Sequence, residues 1–331
     1  RVGDESKFYG FGICQKLNVK LLDVERQINI TTDNNLEVAF GAGSDYFYAC
    51  PSFKVAEVHR DENTNELSIT AYDALYKAGK HTVSELGLKA PYTIREFIVA
   101  CAAFLGLPFD LINIDNNTLS IAYDDGANFD GTETIREALT AVAEATQSIY
   151  YICCQWNLTF KRLNISGEAV LTIDKSKYFS LDSGSNRRLA TICHATELGD
   201  NVSASTTESG STQYVRDNPF WDLREDIGTQ VDNALAAVGG LTINQFECEW
   251  RGNPLLEIGD KIALTTKDNG TVISYVLDDV IEYDGSLSQS TRWSYEDNDG
   301  ESADNPTSLG DALKQTFARV DKANKQIDLV A

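Results

Sequence analysis

Apolar and polar residues alternate in short runs along the first eighty positions. KLNVKLLDV, RQINIT, NLEVAFG and ELSITAYDAL each place apolar side chains at about every second position, and TTDNN and DENTN separate them with turn-forming residues. A period of two puts alternate side chains on one face of a strand, so this segment predicts half-buried β-strands. Because KLNVKLL lies so close to the first residue, an ordered domain that begins further upstream is expected.

After residue 90 the period becomes helical. Thr93 can N-cap a helix whose apolar stripe is Ile94, Phe97, Ile98, Cys101 and Leu105, with Gly106 ending it and Pro108 following. LINIDNNTLSIAY then reads as strand and turn. The tetrapeptide TIRE, which opened this helix, recurs at Thr134, with Glu137 at capping-box spacing and a stripe of Ile135, Leu139, Val142 and Ala143. SIYYICCQWNLTFKRL reads as a β-hairpin, apolar at Leu158, Phe160 and Leu163. The repeated tetrapeptide is a charge-balanced, capped helix start used twice in one small α/β unit.

From residue 166 strands return in GEAVLTID, YFSLDS and RRLATICHATEL, followed by the polar interval SASTTESGSTQ, which reads as a loop. NPFWDLREDIGTQVDNALAAVG predicts a turn and a helix carrying Ile227, Val231 and Leu235. TINQFECEWRG, DKIALTT and VISYVLDDVIEYD are further strands, with a tight turn at Gly259-Asp260. The polar linker YEDNDGESADNPTS leads to a last helix, in which Leu313, Phe317, Val320, Asn324 and Ile327 alternate at spacings of four and three. That spacing fits a short coiled-coil seam and equally a helix docked on its own domain. The class these elements predict is α+β, mainly β.

Composition narrows the function. With 331 residues, 42% hydrophobic and 24% charged, the chain can bury a large core. It contains no methionine. No run of about 18 apolar residues exists, so no membrane segment is expected, and RVGDESKFYGFGICQ lacks the n- and h-regions of a signal peptide. Fifty acidic against 28 basic residues give a net charge of −22. That disfavours specific binding of nucleic acid through phosphate neutralisation; it serves solubility, and more sharply it suits a surface that repels a passing polyanion. Seven cysteines, at 14, 50, 101, 153, 154, 193 and 248, show no C-x-x-C spacing, which argues against a disulfide framework or a zinc site and for folding in a reducing compartment.

No catalytic constellation emerges. His59, His81 and His194 stand far apart without a metal-ligand spacing, and Cys193 and His194, adjacent on a strand, point to opposite faces. GFG near residue 10 and GAG near 41 read as loop glycines too short to cradle phosphate. Asp124-Asp125 and Asp278-Asp279 read as solvated turn or edge residues, and DENTNE lacks the glycine and terminal glutamate of a calcium loop. Cys153-Cys154 is the nearest approach to a reactive pair, but vicinal cysteines seldom bridge and no cation or helix start lies near to lower a thiol pKa. No catalytic, cofactor or metal residue is assigned, and no cofactor is expected.

The order of these elements resembles the tail hub of phages and prophages, the fold of contractile-tail baseplate hubs and of the N-terminal hub part of tail-associated lysins. The resemblance rests on ELSITAYDALYKAG, TIREFIVACAAFLGLPF, TIREALTAVAEATQSIYYI with LTFKRL, then DNPFWD, RGNPLLEIGDKIAL and VLDDVIEYDGSLSQS, across about 290 residues. It implies two β-barrel-like domains flanking an α/β domain: residues 1–85, then 86–165, then 166–205 with 241–294, plus a loop-helix insertion at 206–240 and a linker and C-terminal helix at 295–331. It implies a homotrimer joining the sixfold tail tube to the tip around the DNA and tape-measure channel. The partners it implies are the distal tail protein, the tape measure protein and tail-fibre or receptor-binding components. The location is the virion tail tip, after synthesis in the host cytoplasm. No lytic domain is expected within these residues. Two other readings stand beside it: a cell-wall or carbohydrate-binding protein using Trp156, Trp221 and Trp250, and a peptidoglycan hydrolase built from distant carboxylates.

Overall fold

The computed structural model describes residues 7–42, 45–48, 51–123, 129, 132–195, 201–222 and 224–293. Cys50, Asp124-Asp125, the linker at 295 and the seam from Leu313 to Ile327 lie outside them. The described chain is mainly β with few helices.

The first sheet orders its strands Lys16–Leu22, Glu66–Tyr72, Phe53–Arg60 and Asn35–Leu36, all antiparallel. Leu67, Ile69 and Ala71 turn inward at every second position and join Phe53 and Val55 in a small core of their own. RQINIT, read as a strand, forms none. Its backbone donors go elsewhere: the carboxylate of Asp23 accepts from Gln27 N at 2.9 Å and Ile28 N at 3.2 Å, and Arg60 Nη2 bridges that carboxylate and Ile28 O. Ile28 and Ile30 still pack on the small core, which is why the segment alternates without pairing.

The middle sheet runs Phe11–Ile13, Ile149–Ile152, Leu158–Lys161, Phe109–Ile112, with the outer pairs parallel and the hairpin between them antiparallel. Phe11–Ile13 therefore belongs to this sheet, although the family resemblance places it in a β domain of residues 1–85. Three residues, FGI, carry too little periodicity to declare their partner. The helices Ile94–Leu105 and Ile135–Ala145 start as predicted. Thr93 and Thr134 Oγ1 accept from Glu96 N and Glu137 N at 3.2 Å, and each glutamate returns the bond to its threonine N–H at 2.7 Å. Gly106 closes the first helix at φ 73°. All four residues of Ile149–Ile152 are buried, and Thr159 between Leu158 and Phe160 is buried too. The hairpin is covered on both faces and so does not alternate.

In the last part, YFSLDS and RRLATICHATEL merge into one eighteen-residue strand, Tyr178–Ala195, with register shifts along it. Its first half pairs with Thr242–Trp250. Its second half takes Asn201–Ser205 on one side and Ser211–Arg216 on the other. SASTTESGSTQ is thus not a loop throughout, but contains two strand segments around a short turn. The serines and threonines that mask it face outward while Val202 and Ala204 pack inward. Leu287–Trp293 and Asp278–Tyr283 extend this sheet, a smaller sheet joins Leu171–Ile173, Lys261–Thr265 and Thr271–Tyr275, and the helix Ile227–Val238 buries Val231, Ala234 and Val238. Among the described residues one continuous core runs from Phe8 to Trp293, and the first sheet has a separate one. At one point in this core the rings of Phe11 and Trp293 stack at 6.3 Å.

Candidate functional site

Cys153 and Cys154 sit in the turn of the middle hairpin, closed by Cys153 N donating to Asn157 O at 3.0 Å and Trp156 N to Cys153 O at 2.9 Å. Trp156 takes φ 64° there. Cys153 is buried, whereas Cys154 turns toward the loop 256–260 and meets Glu257. Its Sγ–H donates to Glu257 Oε1 at 2.7 Å and its N–H to the same oxygen at 3.2 Å, while Tyr151 OH approaches Oε2 at 3.4 Å. Burial and the Glu257 carboxylate push the Cys154 thiol up to about 12 and the Tyr151 phenol up as well. A thiol held protonated beside a carboxylate is a poor nucleophile. The cavity beside it, lined by Gln15, Tyr151, Cys154 and Glu257 among others, measures about 10 Å³, room for one water.

Glu257 is delivered by the predicted turn. Asp260 N donates to Glu257 O at 3.1 Å, Glu257 N donates to Asp260 Oδ2 at 3.0 Å, and Gly259 adopts φ 75°. A Cβ on Gly259 would lie 2.9 Å from Ile149 Cδ1, so the loop docks on the hairpin through this glycine. Lys161 Nζ fastens it by bonds to Ile258 O and Asp260 Oδ1.

A second polar cluster lies where the first sheet meets the large core. Asp73, 1% exposed, accepts from Gln15 N at 2.7 Å, Leu75 N at 3.0 Å and Cys14 Sγ at 3.1 Å. Burial, only partly offset by these bonds and by Arg136, raises its carboxyl from 3.8 to about 6. Asp73 in turn helps push the Cys14 thiol up to about 12, after burial itself. Sequence reading passed over Asp73. Its signal was an aspartate between a strand and a helical turn, where the side chain caps the next turn.

The remaining candidates lie elsewhere in the fold. His59 is exposed on the first sheet, His81 Nδ1 pairs with Glu85 at 2.8 Å, and His194 is buried with Nε2 3.1 Å from Asp222 Oδ1. The three are not brought together. Asp278 and Asp279, expected to be solvated, are 3% and 2% exposed. Arg292 Nε bonds Asp278, while Gln289 and Thr291 bond Asp279, and Trp250 Nε1 bonds Thr291 in turn. The strand that holds them is covered at its start, which places both carboxylates inside.

Of the glycines of GFG, read as loop residues, Gly10 precedes the strand Phe11–Ile13 in a bend at φ 80°, while Gly12 lies within the strand. A Cβ on Gly12 would lie 2.1 Å from the Tyr150 ring, and one on Gly10 2.4 Å from Glu144 Cγ. Gly12 lets the strand lie against the hairpin, and Gly10 lets the chain pass close to the helix Ile135–Ala145. Trp221 and Trp250 are buried and Trp156 is 37% exposed, so two of the three candidate sugar-stacking residues serve the core. Among the described residues no group of three His, Cys, Asp or Glu side chains could hold a metal ion, and no helix is long and apolar enough to cross a membrane.

No family model matches the sequence, and no curated protein matches it. Solved structures do resemble the fold. The 43 kDa tail protein of prophage MuSo2 from Shewanella oneidensis is similar with a TM-score of 0.55 and 11% identity, over 89% of this chain and 93% of that one. The tail protein from Neisseria meningitidis MC58 is similar with a TM-score of 0.50 and 10% identity, over 73% of this chain and 79% of that one. At these identities the likeness is one of fold: the chain has the fold of prophage tail proteins.

Proposed function

We propose that the chain is a structural, non-enzymatic component of a phage or prophage tail, a trimeric hub that links the sixfold tail tube to the tip and surrounds the channel for DNA and tape measure. The observation that carries this reading is the fold likeness to the MuSo2 tail protein over nearly the whole of both chains. The use of the carboxylates and thiols supports it: Asp73, Glu257, Asp278 and Asp279 cap backbone, hold a thiol protonated or bond neighbouring side chains. In this reading residues 1–85, apart from the strand Phe11–Ile13, and 166–205 with 241–294 are two β-barrel-like domains flanking 86–165, with 206–240 inserted, its strand Ser211–Arg216 pairing back onto Tyr178–Ala195, and 295–331 following. The distal tail protein, the tape measure protein and fibre or receptor-binding components are its neighbours at the virion tail tip. A channel wall drawn from a chain of net charge −22 would let DNA slide without sticking.

Light scattering tests the assembly: a mass near three times 36.5 kDa supports the trimeric ring. A zymogram on bacterial cell walls tests the non-enzymatic part. Clearing by this chain would overturn it.

A further inference from the structure

We propose that one end of the first sheet's outer face is a docking platform for an acidic segment of a partner polypeptide. The inference stands on the geometry of this face and does not require the tail reading. Tyr72 lies between Lys16 and Lys54 in the sheet register, with all three side chains on the face opposite the small core. The ring of Tyr76, four residues on, stacks on Tyr72 at 4.5 Å and 14°. Lys80 Nζ sits 4.2 Å from the Tyr76 centroid, and Lys16 Nζ 5.9 Å from that of Tyr72. Beside them Lys77 Nζ lies 4.4 Å from the Phe104 ring centroid and donates to Phe104 O.

Two ammonium groups, of Lys16 and Lys80, thus lie on a pair of stacked tyrosines, with Lys54 beside Tyr72 in register and Lys77 on the neighbouring Phe104 ring, four lysines in all. None of the four has a carboxylate within 4 Å among the described residues, whereas Lys20, two rows away, is paired with Glu66. Lys54 reaches only a backbone oxygen, of Asp33. The carboxylate next in register is Glu57, one row from Tyr72 opposite Thr70. In a chain with 50 acidic residues, a cluster of lysines that its own carboxylates leave unpaired is complementary to carboxylates from outside. Ring contact holds Lys16 and Lys80 in place, so less side-chain entropy is lost when a carboxylate arrives. The same contact disfavours a nucleic acid. Lys80 covers the face of Tyr76 that Tyr72 leaves open, so no base can stack there, and the net charge repels a polyphosphate.

The test is fluorescence anisotropy with a labelled peptide of alternating Asp and Gly, alongside an oligothymidylate of equal length. The variants are Lys16→Glu/Lys54→Glu/Lys80→Glu, which reverses the platform, and Lys89→Glu/Lys175→Glu/Lys267→Glu, which makes the same charge change elsewhere. Circular dichroism confirms that both fold. The platform variant is expected to weaken peptide binding at least about tenfold, the sum of three exposed ion pairs and the repulsion replacing them. The control is expected to leave binding within about twofold, and Tyr76→Ala to weaken it by removing the support of Lys80. No peptide binding, equal loss in the two triple variants, or tighter binding of the oligothymidylate would each overturn the proposal. So would a concentration-dependent dimer that the platform variant abolishes, because the face would then belong to a second copy.

Discussion

Replacing Asp73 by Asn asks what a buried carboxylate costs at the junction between the two cores. In the folded chain its pKa is raised from 3.8 to about 6, with burial as the leading cause. The raised value means that the folded state binds the proton more tightly than the unfolded chain, so this group's contribution to stability improves as pH falls through 6 and is lost as pH rises from about 4 to 6. The gap between the two values corresponds to about 3 kcal/mol. Between pH 7 and pH 5 the gain is about 1.3 kcal/mol, because most of the titration lies below 6.

Asparagine removes the charge and cannot titrate, but its amide nitrogen must face one of the donors that Asp73 now accepts. Either Gln15 N–H or Leu75 N–H is left unmatched, at a cost of about 1–3 kcal/mol. At pH 7 the two effects are of similar size and nearly cancel; the pH dependence does not. Urea unfolding of the wild type and Asp73→Asn at pH 7 and pH 5 is expected to show the wild type gaining about 1.3 kcal/mol on the variant upon acidification. A flat difference would refute the argument that burial dominates at Asp73. A wild type that loses ground on acidification would show that Arg136 and the backbone donors outweigh burial.

Thr134→Ala removes the acceptor for Glu137 N and should destabilise the chain by about 1 kcal/mol, read as a lower urea midpoint; Thr134→Ser should restore most of it. Cys154 should react slowly with a thiol reagent at pH 8, more than about tenfold below the same cysteine in the unfolded chain, by peptide mapping after timed labelling. Glu257→Gln removes the carboxylate that helps hold the thiol protonated and should speed labelling at Cys154 alone. Equal rates for folded and unfolded chains would refute the raised thiol pKa, and an unchanged rate in Glu257→Gln would refute the role given to Glu257.

Local signals determined much of this protein. The two helix starts were legible because a capping box is completed within four residues, Thr93 with Glu96 and Thr134 with Glu137, and needs no distant partner. The hairpin around Cys153-Cys154 and the turn at Gly259 were legible for the same reason. What the tertiary structure decided were pairings and burial. Phe11–Ile13 finds Ile149–Ile152 across more than a hundred residues, and the polar strands Asn201–Ser205 and Ser211–Arg216 exist because Tyr178–Ala195 offers them both edges. Asp278 and Asp279 looked like surface residues until Arg292, Gln289 and Thr291 were seen to close over them. Glu257 and Cys154, 103 residues apart, became neighbours only when the loop docked on the hairpin. A period of two or 3.6 records which side of an element is apolar, while the partner that covers it is chosen by the three-dimensional packing of the whole chain.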